Sequence, residues 1–483
     1  MKRVCVIGAG PAGLAALRHC REQGMEPICF DAKGHIGGTW FIENDRLRDK
    51  SSYSNIYGEN PVSVYRGLRL NTPHVGSLFK GQKRLFTDKI LHLDQHLEYL
   101  KDFCESQGLK KHIHLNTVVE KARLMANLTE EERQQYGITE EESRFKYMIK
   151  VLSNTASDSK IQQDLYFCDY LISAIGSFQK TVIPDVKGRE LYEGEEIHTI
   201  DFTDFEWLRS KITGKRVLVI GAGSSGVDII KHSCEGFKES SPIEFSSMMQ
   251  IIRNKTCYGF AKTARTKHLK LNKVKLRNYG INEFLGGKKV RVGDEIFEFD
   301  IIFWGTGYHQ NTKFLDPRDN IIEEDKTNRR GMFQYPLFLS VFSANEPSYA
   351  KMSIHFINDP LTNAVMDRQA ILISKVFTDQ VSLPSRNEMI KDIQEDIDLL
   401  ESHDMTLDNF RFDIEGKRDT LKLCDKWFKY SGMDERCHLT DLLMKNSIYS
   451  KLFNQANGNF YHHPLPDAYG EEFDNVVFPV DKF

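Results

Sequence analysis

The stretch Arg3-Val4-Cys5-Val6-Ile7-Gly8-Ala9-Gly10-Pro11-Ala12-Gly13 decides how this chain folds. A short apolar, β-branched run meets a G-x-G-x-x-G sequence, and Leu14, Leu17 and Cys20 then recur at the spacing of one helix face. A second apolar run, Pro27-Ile28-Cys29-Phe30, ends in Asp31. Strand, glycine turn, helix and strand in about 30 residues make the unit that binds a dinucleotide. The first glycine permits the tight turn, the second lets the backbone approach a pyrophosphate, and the third lets helix and strand pack closely. The helix offers its unpaired N–H groups and positive dipole end to the phosphates. Asp31 stands where a carboxylate accepts hydrogen bonds from ribose hydroxyls.

The arrangement returns in the second half of the chain. Arg216-Val217-Leu218-Val219-Ile220 leads into Gly221-Ala222-Gly223-Ser224-Ser225-Gly226, and Val227, Ile229 and Ile230 begin a helix. The next strand, Met248 to Ile252, ends at Arg253, with Lys255 close behind and no acid at that place. Guanidinium and ammonium groups suit a 2′-phosphate, which a carboxylate would repel. The first loop is therefore expected to hold FAD and the second NADPH. Two more strands, Tyr170 to Ile175 before Gly176 and Asp300 to Trp304 before Gly305-Thr306-Gly307-Tyr308, read as crossings between domains. The expected fold is α/β, with two Rossmann-like dinucleotide-binding domains. The NADPH domain, 177–307, is inserted in an FAD domain made of 1–176 and 308–483. From Ser385 onward, charged helical patterns read as a peripheral elaboration.

Composition excludes several classes. At 483 residues the chain exceeds what one core serves, so two domains are the default. Hydrophobic content of 40%, charged content of 28% and a net charge of −3 without basic blocks argue against a nucleic-acid partner or a polybasic membrane patch. Nine Cys at wide spacing, with no C-x-x-C, fit reduced thiols in the cytoplasm and exclude a flavin disulfide reductase. The chain runs from Met1-Lys2-Arg3 straight into a strand, so no signal peptide is expected, and no apolar run suggests a membrane span. Asn127-Leu128-Thr129 reads as a helix start, capped by Thr129 and followed by Glu130 to Glu132. His462-His463 and Cys437-His438 lack ligand spacing, so no metal is expected.

Further motifs follow in order. They are Gly37-Gly38-Thr39-Trp40, the segment Ser63-Val64-Tyr65-Arg66-Gly67-Leu68-Arg69-Leu70-Asn71-Thr72-Pro73, the pattern Tyr192-x-Gly194-x-x-x-His198-x-x-x-Phe202, and Thr306-Gly307-Tyr308. With both loops they resemble the flavin-containing monooxygenases over residues 1–380. The resemblance implies that NADPH reduces the flavin and O₂ adds to it. The resulting flavin hydroperoxide oxygenates a soft nitrogen or sulfur atom, as in a tertiary amine such as trimethylamine or a sulfide, to an N-oxide or S-oxide. It makes Asn71 the catalytic residue, beside flavin and nicotinamide, where its amide both donates and accepts. It assigns cofactor contacts to Gly8, Gly10, Ala12, Gly13, Asp31, Lys33, Thr39, Trp40, Asn71 and Val119 in the first site. In the second they fall to Gly221, Gly223, Ser224, Ser225, Gly226, Arg253 and Lys255. His198 reads as a structural residue of the connection between domains.

The chain also departs from the family pattern. Tyr192 replaces Phe, Gly305 replaces Ala, and His74-Val75-Gly76-Ser77-Leu78-Phe79 replaces a Lys-Glu and Phe/Pro-rich run near the substrate entrance. Substrate choice is therefore not carried over. The length and the absence of a membrane tail are closer to the soluble, trimethylamine-oxidising bacterial branch, working alone or as a homodimer on a small amine or sulfide and O₂. Three alternatives stand beside this reading: a Baeyer–Villiger monooxygenase, whose fingerprint ends in Trp where this chain has Phe202; an amino-acid N-hydroxylase; and a catalytically silent flavoprotein.

Overall fold

The computed structural model describes residues 1–42, 64–70, 77–79, 91–154, 161–221, 223–236, 240–251, 274–327, 331, 333–352 and 362–403. The strand Arg3–Ile7 is buried from Val4 onward, as its unbroken apolar run requires of a parallel strand covered on both faces. It pairs in parallel with Glu26–Phe30 on one side and Tyr170–Ser173 on the other. The seven-stranded sheet continues to Ile113–His114 at one edge. At the other it runs through Tyr349–Lys351 and Phe342–Ser343 to Leu337–Phe338. Leu14, Leu17 and Cys20 of helix Pro11–Glu22 are fully buried in one cluster with Val365, Leu372 and Ile373 of helix Thr362–Phe377. The face read from the sequence is the packed face.

A second, five-stranded parallel sheet has the order Val274–Arg277, Ser247–Ile251, Arg216–Ile220, Ile301–Trp304, Glu195–His198. The chain leaves the first sheet after Ser173, builds the whole second sheet, and returns to add three strands to the first. This is the insertion that the repeat implied. The crossing segments lie side by side: Lys180–Thr181 pairs antiparallel with Tyr308–His309, and Gln310 Nε2 donates to Gly176 O at 2.7 Å. The strand before Gly176 ends at Ser173, two residues short of the expected Ile175. Ala174 N–H still reaches Ile7 O, and the chain then turns away.

Two antiparallel three-stranded sheets, which the sequence reading did not anticipate, complete the described part. One is Thr117–Leu124, Tyr147–Asn154 and Ile161–Cys168, held by buried Arg123 paired to Asp319 at 3.1 Å and to Glu132 at 2.9 Å. Thr129 caps helix Glu130–Tyr136 in a reciprocal box with Glu132, as expected. Ser385 likewise caps helix Arg386–Glu401. Cys5, Cys20, Cys29, Cys104, Cys168 and Cys234 are free thiols. Among the described residues no helix is long and apolar enough to cross a membrane, and no group of side chains is arranged to hold a metal. His462, His463, Cys437 and His438 lie outside them.

Candidate functional site

Both glycine turns are built alike. Gly8 has φ +105° and takes Phe30 O at 2.8 Å; Gly221 has φ +113° and takes Ile251 O at 2.9 Å. A Cβ on Gly8 would lie 2.5 Å from Ala174 O, and one on Gly221 would lie 2.1 Å from Gly305 O. Backbone conformation and close approach both demand glycine there. The third glycines meet the first: a Cβ on Gly13 would lie 1.8 Å from Gly8 O, and one on Gly226 would lie 3.0 Å from Gly221 O.

The middle glycines differ in kind. Gly10 has φ −75° and Gly223 φ −66°, conformations open to any residue. Among the described residues, a Cβ on Gly223 would meet nothing within 4 Å, and one on Gly10 would meet only Gly38, 3.6 Å from its Cα and 3.9 Å from its N. Among the described residues nothing requires glycine at these two places, whereas a phosphate laid against the backbone would. Each of these residues begins a 12-residue helix, Pro11–Glu22 and Ser224–Glu235, with no side-chain cap and no acid in the first turn. The first N–H groups of both helices are thus left to a ligand. This cradle fits a dinucleotide pyrophosphate twice over.

Around the first loop the residues singled out from the sequence converge. Asp31 Oδ2 accepts from Ala9 N–H at 2.6 Å and Oδ1 from Lys33 N–H at 2.8 Å. Burial raises the pKa of this carboxyl above the usual value, against the pull of those two amides and the Lys33 charge. The Gly37 turn bonds to the loop through Ala9 O at 3.0 Å, and Gly38 lies against Gly10. This places the Gly38–Trp40 turn, with Thr39 and Trp40 half-buried, directly over the loop. Val119 lies on Thr117–Leu124 with its side chain buried in one cluster with Phe30.

The scan for known families matches residues 1–240 to a model described as flavin-binding monooxygenase-like. The chain belongs to that family. Its relatives include the senecionine N-oxygenase of Tyria jacobaeae, 26% identical over 82% of this chain and 76% of that protein. Among solved structures, the S-allyl-L-cysteine S-oxygenase from Allium sativum superimposes with a TM-score of 0.74 at 19% identity, covering 99% of this chain and 98% of that one. Tmm from Pelagibacter gives 0.64 at 21% identity, over 94% and 89%. These two likenesses show the fold. The chain is thus an oxidoreductase, a flavin monooxygenase with two Rossmann-like domains.

For a flavin monooxygenase, the surroundings of the loops bear on the chemistry. Asn71, Arg253 and Lys255 lie outside the described residues, as do Ser63, 72–76 and Ala222. The segment 64–70 that leads to Asn71 is described, and Tyr65 packs its ring on Phe202 of the fingerprint at 4.3 Å. His198 is bonded at both ring nitrogens: Nδ1 accepts from Ile200 N–H at 3.2 Å, and Nε2 donates to Gly307 O at 3.1 Å. It ties the end of the edge strand Glu195–His198 to the return crossing at Gly307. Gly305 stands where the family has Ala; a Cβ there would lie 2.8 Å from Ile220 O, so the smaller residue matches the tighter turn. Sequence reasoning passed over His96. It is fully buried and edge-on to Trp40 at 4.7 Å, and among the described residues neither ring nitrogen has a hydrogen-bond partner. Burial pushes its imidazole down to about 3, so it is neutral. No sequence motif marks it.

Proposed function

We propose that this chain is an NADPH-dependent flavin monooxygenase that transfers one oxygen atom to a soft nucleophilic nitrogen or sulfur, in a tertiary amine such as trimethylamine or in a sulfide. The cofactors are FAD and NADPH. The carrying observation is the pair of middle glycines, Gly10 and Gly223, open on their ligand side while their neighbours are locked by backbone. The N-oxygenase and S-oxygenase named among the similar proteins support the class of substrate.

In this reading residues 1–176 and 308–483 form the FAD domain and 177–307 the NADPH domain. Gly8 to Gly13 with Asp31, Lys33, Thr39 and Trp40 hold FAD. Gly221 to Gly226 with Arg253 and Lys255 hold NADPH, the two cations meeting the 2′-phosphate. Bound reduced flavin supplies the activation of O₂, which no side chain could perform. The protein's part is to orient the two cofactors, keep water out and donate hydrogen bonds at fixed places. Asn71 is the residue assigned to that last task. The free thiols among the described residues support a reducing, cytoplasmic setting.

The test is a panel on purified, FAD-loaded protein: trimethylamine, dimethylaniline, thioethers, ornithine, lysine and cyclohexanone, each with NADPH. Oxygenated product and hydrogen peroxide are both measured. N-oxide or S-oxide formed in proportion to NADPH consumed supports the proposal. Turnover confined to the ketone, or to ornithine and lysine, gives the chain to a rival class, and no NADPH oxidation leaves a silent flavoprotein.

A further inference from the structure

The helix Ser224–Glu235 has a second attachment beyond its glycine loop. Asp228 and His232, four apart on one face, both reach Tyr65. Tyr65 Oη donates to Asp228 Oδ2 at 2.9 Å. The hydroxyl has one proton, so His232 Nε2, 3.0 Å away, is the donor in its own bond to that oxygen. The three residues are 5%, 4% and 0% exposed, and Arg66 N–H adds a bond to Thr203 O at 2.8 Å. In such dry surroundings these polar bonds hold one arrangement and penalise others.

The other end of the same segment is tied to the first unit. Leu70 N–H bonds to Leu91 O at 2.9 Å and Leu93 N–H to Leu68 O at 3.0 Å. Leu93 opens helix Leu93–Ser106, whose Leu97 lies so close to the Gly37 turn that a Cβ on Gly37 would come within 2.6 Å of it. An unbroken line of contacts therefore runs from the helix of the second loop, through Tyr65 and Leu70, to the turn that covers the first.

We propose that Tyr65 is a positioning residue. Held by Asp228 and His232, it fixes the segment 64–70, which precedes Asn71 in the sequence, to the helix that carries the second glycine loop, so that occupancy of that loop is felt on the flavin side. The functional half of this statement rests on the roles given above to the second loop and to Asn71.

The experiment uses the full-length, FAD-loaded protein. Hydrogen–deuterium exchange of peptides spanning 64–71 is followed with and without NADP⁺, whose binding is measured by calorimetry. In the wild type, NADP⁺ is expected to slow exchange there several-fold. Tyr65→Phe keeps the ring and loses only the hydroxyl; it should raise exchange by about tenfold and abolish the response. Asp228→Asn, which keeps a carbonyl acceptor, should retain the response. Asp228→Ala reaches the same bond from the other side should Tyr65→Phe fold poorly. In parallel, oxygenated product per NADPH should fall threefold to tenfold, on the order expected for one hydrogen bond, in Tyr65→Phe and in Asn71→Ala. An unchanged NADP⁺ response in Tyr65→Phe, or none in the wild type, overturns the inference. Asn71→Ala at the wild-type product ratio removes the role of Asn71 and leaves the exchange result standing. NADP⁺ that fails to bind overturns the second-loop reading and this inference with it.

Discussion

Gly13 and Gly226 close the same turn, yet the turns differ in tightness. A methyl at Gly13 would come within 1.8 Å of Gly8 O, whereas one at Gly226 would stop 3.0 Å from Gly221 O. The helices behind them carry a histidine at the same place, six residues past the third glycine, and both are buried. His19 bonds through Nε2 to Asp367 at 2.7 Å and through Nδ1 to Glu22 at 2.9 Å, which clamps its helix to Thr362–Phe377. His232 instead reaches Tyr65, on the segment that bridges the two units. One helix is fastened within its own unit, the other to a segment shared with the neighbour. That difference suits the proposed assignment of a resident FAD to the first loop and an exchanging NADPH to the second.

The largest effect expected from this comparison lies at the third glycines. Gly13→Ala forces a methyl into a backbone carbonyl that has no room to yield, and should cost about 3 kcal/mol or more. Gly226→Ala meets a milder contact, offset by roughly 1 kcal/mol of helix propensity, and should fall within about 1 kcal/mol of wild type. Urea midpoints with unchanged slope would measure both. Equal losses would mean that the two turns are equally tight.

Next in size are the middle glycines, where the fold should survive and a cofactor should not. Gly10 and Gly223 have backbone angles that valine adopts, and a Cβ at either place comes no nearer than 3.6 Å to a described atom. Gly10→Val should give folded but colourless protein. Gly223→Val should stay yellow and bind NADPH at least about tenfold more weakly, which is a loss of ~1.4 kcal/mol or more. Full FAD retention in Gly10→Val would show the first loop misassigned.

These two pairs also mark how far the sequence could be read. Glycines betray themselves because the backbone tolerates nothing else at Gly8 and Gly221, so both loops, both helices and the inserted order were legible. Asp31 was legible as a carboxylate in the right place, but its bonds to Ala9 and Lys33 depend on a turn that no pattern encodes. The antiparallel sheet around Arg123 was missed because the buried partner that holds it, Asp319, comes from a distant part of the chain, although Glu132 is near in sequence. Tyr65, Asp228 and His232 each look ordinary in sequence, and only the fold brings them within hydrogen-bond reach. The shared offset of His19 and His232 was visible to anyone who laid one loop over the other.

The two sites should also part in how they read the ribose. Arg253→Ala is expected to remove a charge-assisted contact worth about 1.5–3 kcal/mol, lowering NADPH affinity roughly ten- to a hundredfold. NADH binding should stay nearly unchanged, and FAD content should not move. Titrations of both nicotinamide cofactors decide the point, since an equal loss for NADPH and NADH would assign Arg253 to folding instead.

The smallest expected effect concerns the clamp on the first helix, and it appears as a slope with pH. Burial by itself would lower the pKa of His19, but the bonds to Asp367 and Glu22 outweigh it and the net shift is upward. Glu22 is drawn down to about 2, first by the bond to His19 and then by Arg18, against some desolvation. A histidine whose folded pKa is raised binds its proton more tightly in the folded state. Its stabilisation is complete below the unfolded value near 6.5 and is lost as pH rises through the folded one. For Glu22 the sign is opposite: its contribution is complete above about 4.5 and is lost as pH falls toward 2. The clamp is therefore fully in force between about 4.5 and 6.5 and weakens on the alkaline side first. His19→Gln removes the titrating group while keeping a polar side chain of similar reach. Between pH 6 and pH 8.5 the wild type should lose stability relative to this variant, with urea midpoints drawing together as the pH rises. FAD content should be the same in both, because the clamp lies at the far end of the helix from Gly10. Two midpoint curves that stay parallel across that range would show that the pKa of His19 is the same in the folded and unfolded chains, so that its bonds to Asp367 and Glu22 give the helix no charge-dependent stability.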